Sequence, residues 1–126
     1  MKNVNLLELL NIQTELVTPE RVVLTLNVTE REQQPYGLMH GGMSCVLAET
    51  AASIGANQQL RSDEAAVGVN IETHHLASVR TGLVTATATP VQRGHRLQVW
   101  QVNIKHADQL VSTSTVTLTK HPLVGH

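Results

Sequence analysis

The residues whose types and spacing could do chemistry crowd between Gln34 and Ser53. The segment from Met43 to Ile54 is small and apolar apart from one carboxylate, Glu49. A carboxylate is expensive to bury there unless it is paired or put to use. Just upstream, Gln34-Pro35-Tyr36-Gly37-Leu38-Met39-His40-Gly41-Gly42 runs straight into that segment. Gly41 and Gly42 stand where a loop turns into a helix, so their N–H groups lack intrahelical partners. Such a helix start attracts negative charge. Backbone donors that stabilise an anion, combined with a buried carboxylate, are the groups needed to attack a carbonyl carbon.

Other candidates carry less. Gly42-Met43-Ser44-Cys45-Val46 lacks the second glycine of a nucleophile elbow, and Cys45 reads better as a small buried hydrophobe. The seven histidines form no metal pattern. His74 and His75 are adjacent, so on a strand they point to opposite faces, and no metal site is expected. Arg93-Gly94-His95-Arg96 holds two guanidinium groups in one tight turn, a plausible clamp for phosphate because Arg pairs with it bidentately.

The elements that must position these residues follow from the hydrophobic pattern. Leu6 to Leu10 suggests a short helix capping something apolar. Val22, Leu24, Leu26 and Val28 alternate along a half-buried strand, and Glu30 to Tyr36 reads as a loop. One long helix is expected from about Gly41 to Leu60, roughly 30 Å at 1.5 Å per residue. Gly, Ala, Ser and Cys on nearly every face of it imply a helix gripped on several sides. Period two then takes over. Val67, Val69 and Ile71 share a face of the next strand, a turn comes at Thr81-Gly82, and strands cover Leu83 to Val91, Leu97 to Lys105 and Leu110 to Thr119. Hairpin-length connections make the sheet mostly antiparallel, and a frayed tail runs from His121 to His126. A long small-residue helix wrapped by one antiparallel sheet is an α+β hotdog fold.

Composition narrows the function. A chain of 126 residues is one domain, 1–126, with a single core. Nine basic residues against ten acidic ones, with no basic cluster, speak against nucleic-acid binding. Phe is absent, and Trp100 and Tyr36 are the only aromatics, too few for a stacking platform. The single cysteine rules out an intrachain disulfide and suits a reducing compartment. Leu6 to Leu10 is too short for a membrane span or a signal core. A cytoplasmic location is the resulting expectation.

The motifs together resemble those of the hotdog-fold acyl-CoA thioesterases. The subgroup acting on aryl-CoA and 1,4-dihydroxy-2-naphthoyl-CoA thioesters is the nearest match. The resemblance covers nearly the whole chain. It rests on Gln34 to Gly42, on Leu47-Ala48-Glu49-Thr50, on Val67-Gly68 with His75, and on Gly94-His95-Arg96 followed by Gln98-Val99-Trp100-Gln101. It implies that Glu49 is the catalytic carboxylate and that Gly41 is the backbone donor to the thioester oxygen. Gln34 and His40 would surround the reacting group, and Ser53 would assist the attacking water. His75, Arg80, Arg93, Gly94, His95 and Arg96 are the candidates for binding the substrate and its CoA portion. Coenzyme A would be part of the substrate, with no retained cofactor.

Gly41 and Glu49 are eight positions apart, about 12 Å along a helix, which favours a homodimer sharing its sites between chains. The resemblance implies a further pairing of dimers into a homotetramer. Two other readings keep the fold: a hydratase or dehydratase on acyl thioesters, and a non-catalytic acyl-CoA binder.

Overall fold

The computed structural model describes residues 5–123. The sequence reading over Met1 to Val4, and that part of the tail from Val124 to His126, lie outside the described residues. In chain order the elements are α1 (Leu6–Leu9), β1 (Gln13–Val17), β2 (Val22–Val28), a short 3-10 helix (Glu30–Glu32) inside the expected loop, α2 (Gly41–Asn57), β3 (Glu64–His75), β4 (Gly82–Arg93), β5 (Leu97–His106) and β6 (Gln109–Pro122). The six strands form one sheet in the order β1-β2-β4-β5-β6-β3, and every pairing is antiparallel. α2 packs against β2, β3, β4, β5 and β6. This is the α+β hotdog arrangement.

α2 buries doublets that recur every four residues: Met43-Ser44, Leu47-Ala48, Ala51-Ala52 and Gly55-Ala56. That spacing keeps one stripe of a 3.6-residue helix on the sheet. Opposite it, Val22, Leu24, Leu26 and Val28 of β2 are buried as the alternation requires. They join Val84, Ala86, Trp100, Val102, Ile104, Val116 and Leu118 in one core. Each large aliphatic side chain fully removed from water there contributes about 1.5–3 kcal/mol. The other flank of α2 (Cys45, Val46, Glu49, Thr50, Ser53 and Ile54) is only partly covered or exposed. Within one chain the helix is therefore gripped on one side, not on several.

Several details depart from the sequence pattern. α2 ends at Asn57, before Leu60, and Gln58 to Leu60 continue as turns. The Asn57 side chain accepts the Ala66 N–H at 2.8 Å and so ties the helix end to β3. β3 and β4 are not a hairpin. β3 lies at the sheet edge beside β6, so residues 76–81 cross to β4 on the far side of β5. His121 and Pro122 are not frayed, because they pair with Ala65 and Glu64. α1 leaves Leu6 and Leu9 half exposed, while Leu10 and Ile12 pack on the core.

Two bulges change which residues face α2. In β3, Gly68 pairs with Leu118 and Asn70 with Thr117, leaving Val69 as the extra residue. Paired residues share a face, and Val116 and Leu118 are buried, so Ile71 and Gly68 face inward. Val67 and Val69 do not join Ile71 on that face, contrary to simple alternation. In β4, Pro90 pairs with Trp100 and Arg93 with Gln98, so Val91 falls at the register shift. The phase change turns Arg93 toward the core side. A bulge re-aims side chains in this way.

Candidate active site

Residues 33–40 deliver α2's N-terminus. Gln33 bridges to Met39. The Gln34 side chain accepts the Tyr36 N–H, and Gly37 takes a φ of 82°, which favours glycine. His40 is the helix N-cap, and its Nδ1 accepts the Gly42 N–H at 2.8 Å. Gly41, the first helical residue, keeps an N–H without an intrahelical acceptor. A Cβ on Gly41 would lie 3.0 Å from the His75 ring, so the backbone is open there because position 41 carries no side chain. Gln34, Gly41, Ser44 and His75 line one cleft with Met39, Val79 and Val111.

Glu49 and Ser53 line different clefts. One holds Glu49 with Leu6, Cys45, Val46 and Thr50. The adjoining one holds Glu49 with Leu7, Thr50, Ser53, Ile54 and Asn57. Glu49 is exposed in the single chain, not buried as the sequence suggested. Its position follows Ala48, at the rim of the buried stripe, so the helix carries it to the edge strand β3, where its carboxylate lies beside Gly68. Among the described residues no basic group forms an ion pair with it. The buried glutamate is Glu32, only 4% exposed, in a segment read as loop. Its carboxylate accepts the Thr29 N–H at 2.8 Å and the Thr29 hydroxyl at 3.0 Å, a capping box.

The candidate CoA-binding cations separate. Arg93 is not a free phosphate clamp. Its guanidinium lies 5.3 Å from the Trp100 ring centroid, Nη1 is 3.8 Å from Glu20, and Nε and Nη2 are buried. Gly94, His95 and Arg96 remain exposed in the β4–β5 connection and border a small cavity with Lys120 and Thr119. Arg80 sits beside Gly37, in the loop before β4. β4 lies between Arg80 and Arg96, and its eleven steps of about 3.3 Å put them roughly 36 Å apart in one chain. They cannot hold the same phosphate group of one molecule within one chain. Among the described residues no three His, Cys, Asp or Glu side chains come together as a metal-binding set.

Residues 36–113 match the family description of the thioesterase superfamily. The chain belongs to that superfamily. It is 43% identical over 112 residues to a 1,4-dihydroxy-2-naphthoyl-CoA hydrolase of Listeria monocytogenes, covering 88% of this chain and 91% of the relative. It is 36% identical over 100 residues to the 1,4-dihydroxy-2-naphthoyl-CoA hydrolase of Escherichia coli, covering 79% and 74%. A crystal structure of a thioesterase from Haemophilus influenzae superposes with a TM-score of 0.88 at 36% identity, covering 95% of this chain and 85% of that one. The chain is thus a thioester hydrolase of the hotdog fold.

The structure adds neighbours to this thioesterase site that were given no role in it from the sequence. Thr73 lies 3.6 Å from the Cys45 sulfur and 2.8 Å from the Ser114 hydroxyl, tying β3 and β6 to the helix one turn before Glu49. Ser44, fully buried, has a hydroxyl without a hydrogen-bond partner beside the Gly41 cleft. Lys120, paired with Glu64 at 3.7 Å, adds a cation near Arg96. These contacts depend on strand order, and no local pattern encodes them.

Proposed function

We propose that this thioesterase hydrolyses aromatic acyl-CoA substrates, 1,4-dihydroxy-2-naphthoyl-CoA foremost, in sites shared between two copies of the chain. The observation carrying the shared site is that Gly41 and Glu49 open into different clefts of one chain. A carbonyl group is far smaller than the ~12 Å between their backbones along the helix. An antiparallel partner helix can bring its own Glu49 to the Gly41 of the first chain, and a two-fold axis then makes two equal sites. The uncovered flank of α2 supports this, as does the edge strand β3 with its exposed Val67 and Val69. Such an edge is ready to pair with another chain. The family resemblance supports a further pairing of dimers into a tetramer.

In this reading the Gly41 N–H donates to the thioester oxygen as negative charge develops on it. Glu49 either removes a proton from the attacking water or attacks the carbonyl carbon itself, forming an anhydride that water then opens. Either way the C–S bond breaks and water supplies the hydroxyl of the released acid. The sulfur leaves as the coenzyme A thiol, so coenzyme A is part of the substrate and a product, not a retained cofactor. Ser53, one turn after Glu49, holds the water, while Gln34 and His75 line the oxygen side. The aromatic acyl group is supported by the names of the Listeria and Escherichia relatives. No helix among the described residues is long and apolar enough to cross a membrane, and the free thiol of Cys45 accords with a cytoplasmic site of action.

The test is thiol release from a panel of 1,4-dihydroxy-2-naphthoyl-, benzoyl- and fatty acyl-CoA. The aromatic esters should have the highest kcat/KM. Glu49→Gln should lower turnover by at least ~10²-fold if the carboxylate is a general base. Preference for fatty acyl-CoA would refute the substrate assignment, and unchanged turnover in Glu49→Gln would refute the mechanism.

A further inference from the structure

β3 meets the Glu49 carboxylate with a glycine. A Cβ built on Gly68 would come 2.9 Å from the Glu49 carboxyl carbon and 3.0 and 3.1 Å from its oxygens. The carboxylate therefore occupies the volume that any side chain at position 68 would need. Up to Ile71 the inward positions of β3 are odd-numbered. His75 meets Gly41, Thr73 meets Cys45, and Ile71 pairs with the buried Val116. Unbroken alternation would next bring Val69 and Val67 inward along the helix. The bulge shifts the phase by one residue, so Gly68 pairs with the buried Leu118 and faces inward. The two valines turn out, 58% and 39% exposed.

We propose that Gly68, brought to the inner face by the Val69 bulge, is a positioning residue for the Glu49 carboxylate. The inference rests on the reading of Glu49 as the reacting group. Glu49 has three rotatable bonds and no ion-pair partner among the described residues. The shape of β3 is then what selects its rotamer. With glycine at 68 the carboxylate lies against the strand, and a methyl group there pushes it into another rotamer. Because the displaced atoms end a long side chain, the fold accommodates the change and the chemistry does not. A shift of about 1 Å in a reacting group can cost on the order of 10²-fold in rate.

Gly68→Ala is expected to lower kcat for an acyl-CoA by about 10- to 10²-fold, with KM and melting temperature near the parental values. Glu49→Asp withdraws the carboxylate by one methylene and leaves room for the methyl. It should therefore cost less in the Gly68→Ala background than in the parent. Parental kcat in folded Gly68→Ala would overturn the proposal. So would losses from Gly68→Ala and Glu49→Asp that simply multiply. Should Gly68→Ala fail to fold, Gly68→Ala/Glu49→Ala decides. Recovery of folding assigns the clash to the carboxylate, and continued failure assigns Gly68 to the strand and overturns the proposal. Glu49→Gln run alongside separates these outcomes from a failure of the catalytic reading of Glu49, which alone would leave its turnover at the parental level.

Discussion

The indole of Trp100 fills the space that a side chain at Gly55 would need, since a Cβ there would lie 2.3 Å from Cη2. Trp100 is fully buried, its Nε1–H donates to Gln98 Oε1 at 2.9 Å, and Arg93 covers the ring. The indole has a fixed hydrogen bond on one edge and the helix backbone on another, so it cannot retreat. Gly55→Ala should destabilise the fold by about 1–3 kcal/mol, the usual range for overpacking a filled core. Urea unfolding would measure it. A midpoint at the parental value would mean that the indole yields more easily than this packing indicates.

Arg93 and Arg96, three residues apart, should separate by readout. Arg93→Ala removes a partly desolvated cation–π contact of about 1 kcal/mol together with the packing of its stem, and should lower stability while leaving KM for acyl-CoA nearly unchanged. Arg96→Ala leaves the core alone. If its guanidinium meets CoA phosphates, KM for CoA esters should rise several-fold and KM for a short thioester lacking the nucleotide should not. Melting curves and steady-state kinetics on both variants check the pair. The reverse pattern would return Arg93 to the binding surface.

His40 closes the helix start through its ring. His40→Ala deletes the acceptor for the Gly42 N–H and should cost about 0.5–2 kcal/mol of stability, as losing other N-caps does. His40→Asn supplies an oxygen at a residue type that N-caps well, and should recover most of that loss. Thermal unfolding of both variants tests the cap. Turnover of folded His40→Asn then reads any separate part the imidazole has in the reaction.

The strands whose alternation is unbroken were legible as sequence. Val22, Leu24, Leu26 and Val28 all face the core as their spacing requires. The same rule failed at Val67 and Val69, and Arg93, read as part of a turn, proved to be the last residue of β4. One extra residue reverses the parity of a strand, and the register that shows it lies on the neighbouring strand. Gly68, a glycine inside a strand, was the available signal for a bulge. Type and spacing picked out Gly41 and Glu49 as candidates, but the exposure of Glu49 in one chain was not legible. Its flank of α2 is uncovered in one chain, so a pattern of small residues on all sides described more contacts than one chain supplies. The burial of Glu32 went unread although Thr29-Glu30-Arg31-Glu32 has the spacing of a capping box; no apolar run follows to mark a helix start.

Complementation between inactive subunits tests the shared site directly. Gly41→Pro is suited to the task. Gly41 is the first helical residue, where proline is well tolerated, and His40 has φ −63° and ψ 132°, the extended conformation favoured before proline. The substitution removes the N–H and leaves the helix direction intact, with the exposed His75 ring giving way to the new ring. Glu49→Gln removes the carboxylate, and each variant alone should be inactive. In a heterodimer with crossed sites, one site receives the intact Gly41 and the intact Glu49 while the other receives both defects. Random mixing of equal amounts yields half heterodimers with one working site in two, so about a quarter of the parental activity should return. If each site were built within one chain, both sites of the heterodimer would carry a defect and no activity would return. Folded, verified heterodimers without activity would therefore refute the shared site, as would a fully active monomer by sedimentation.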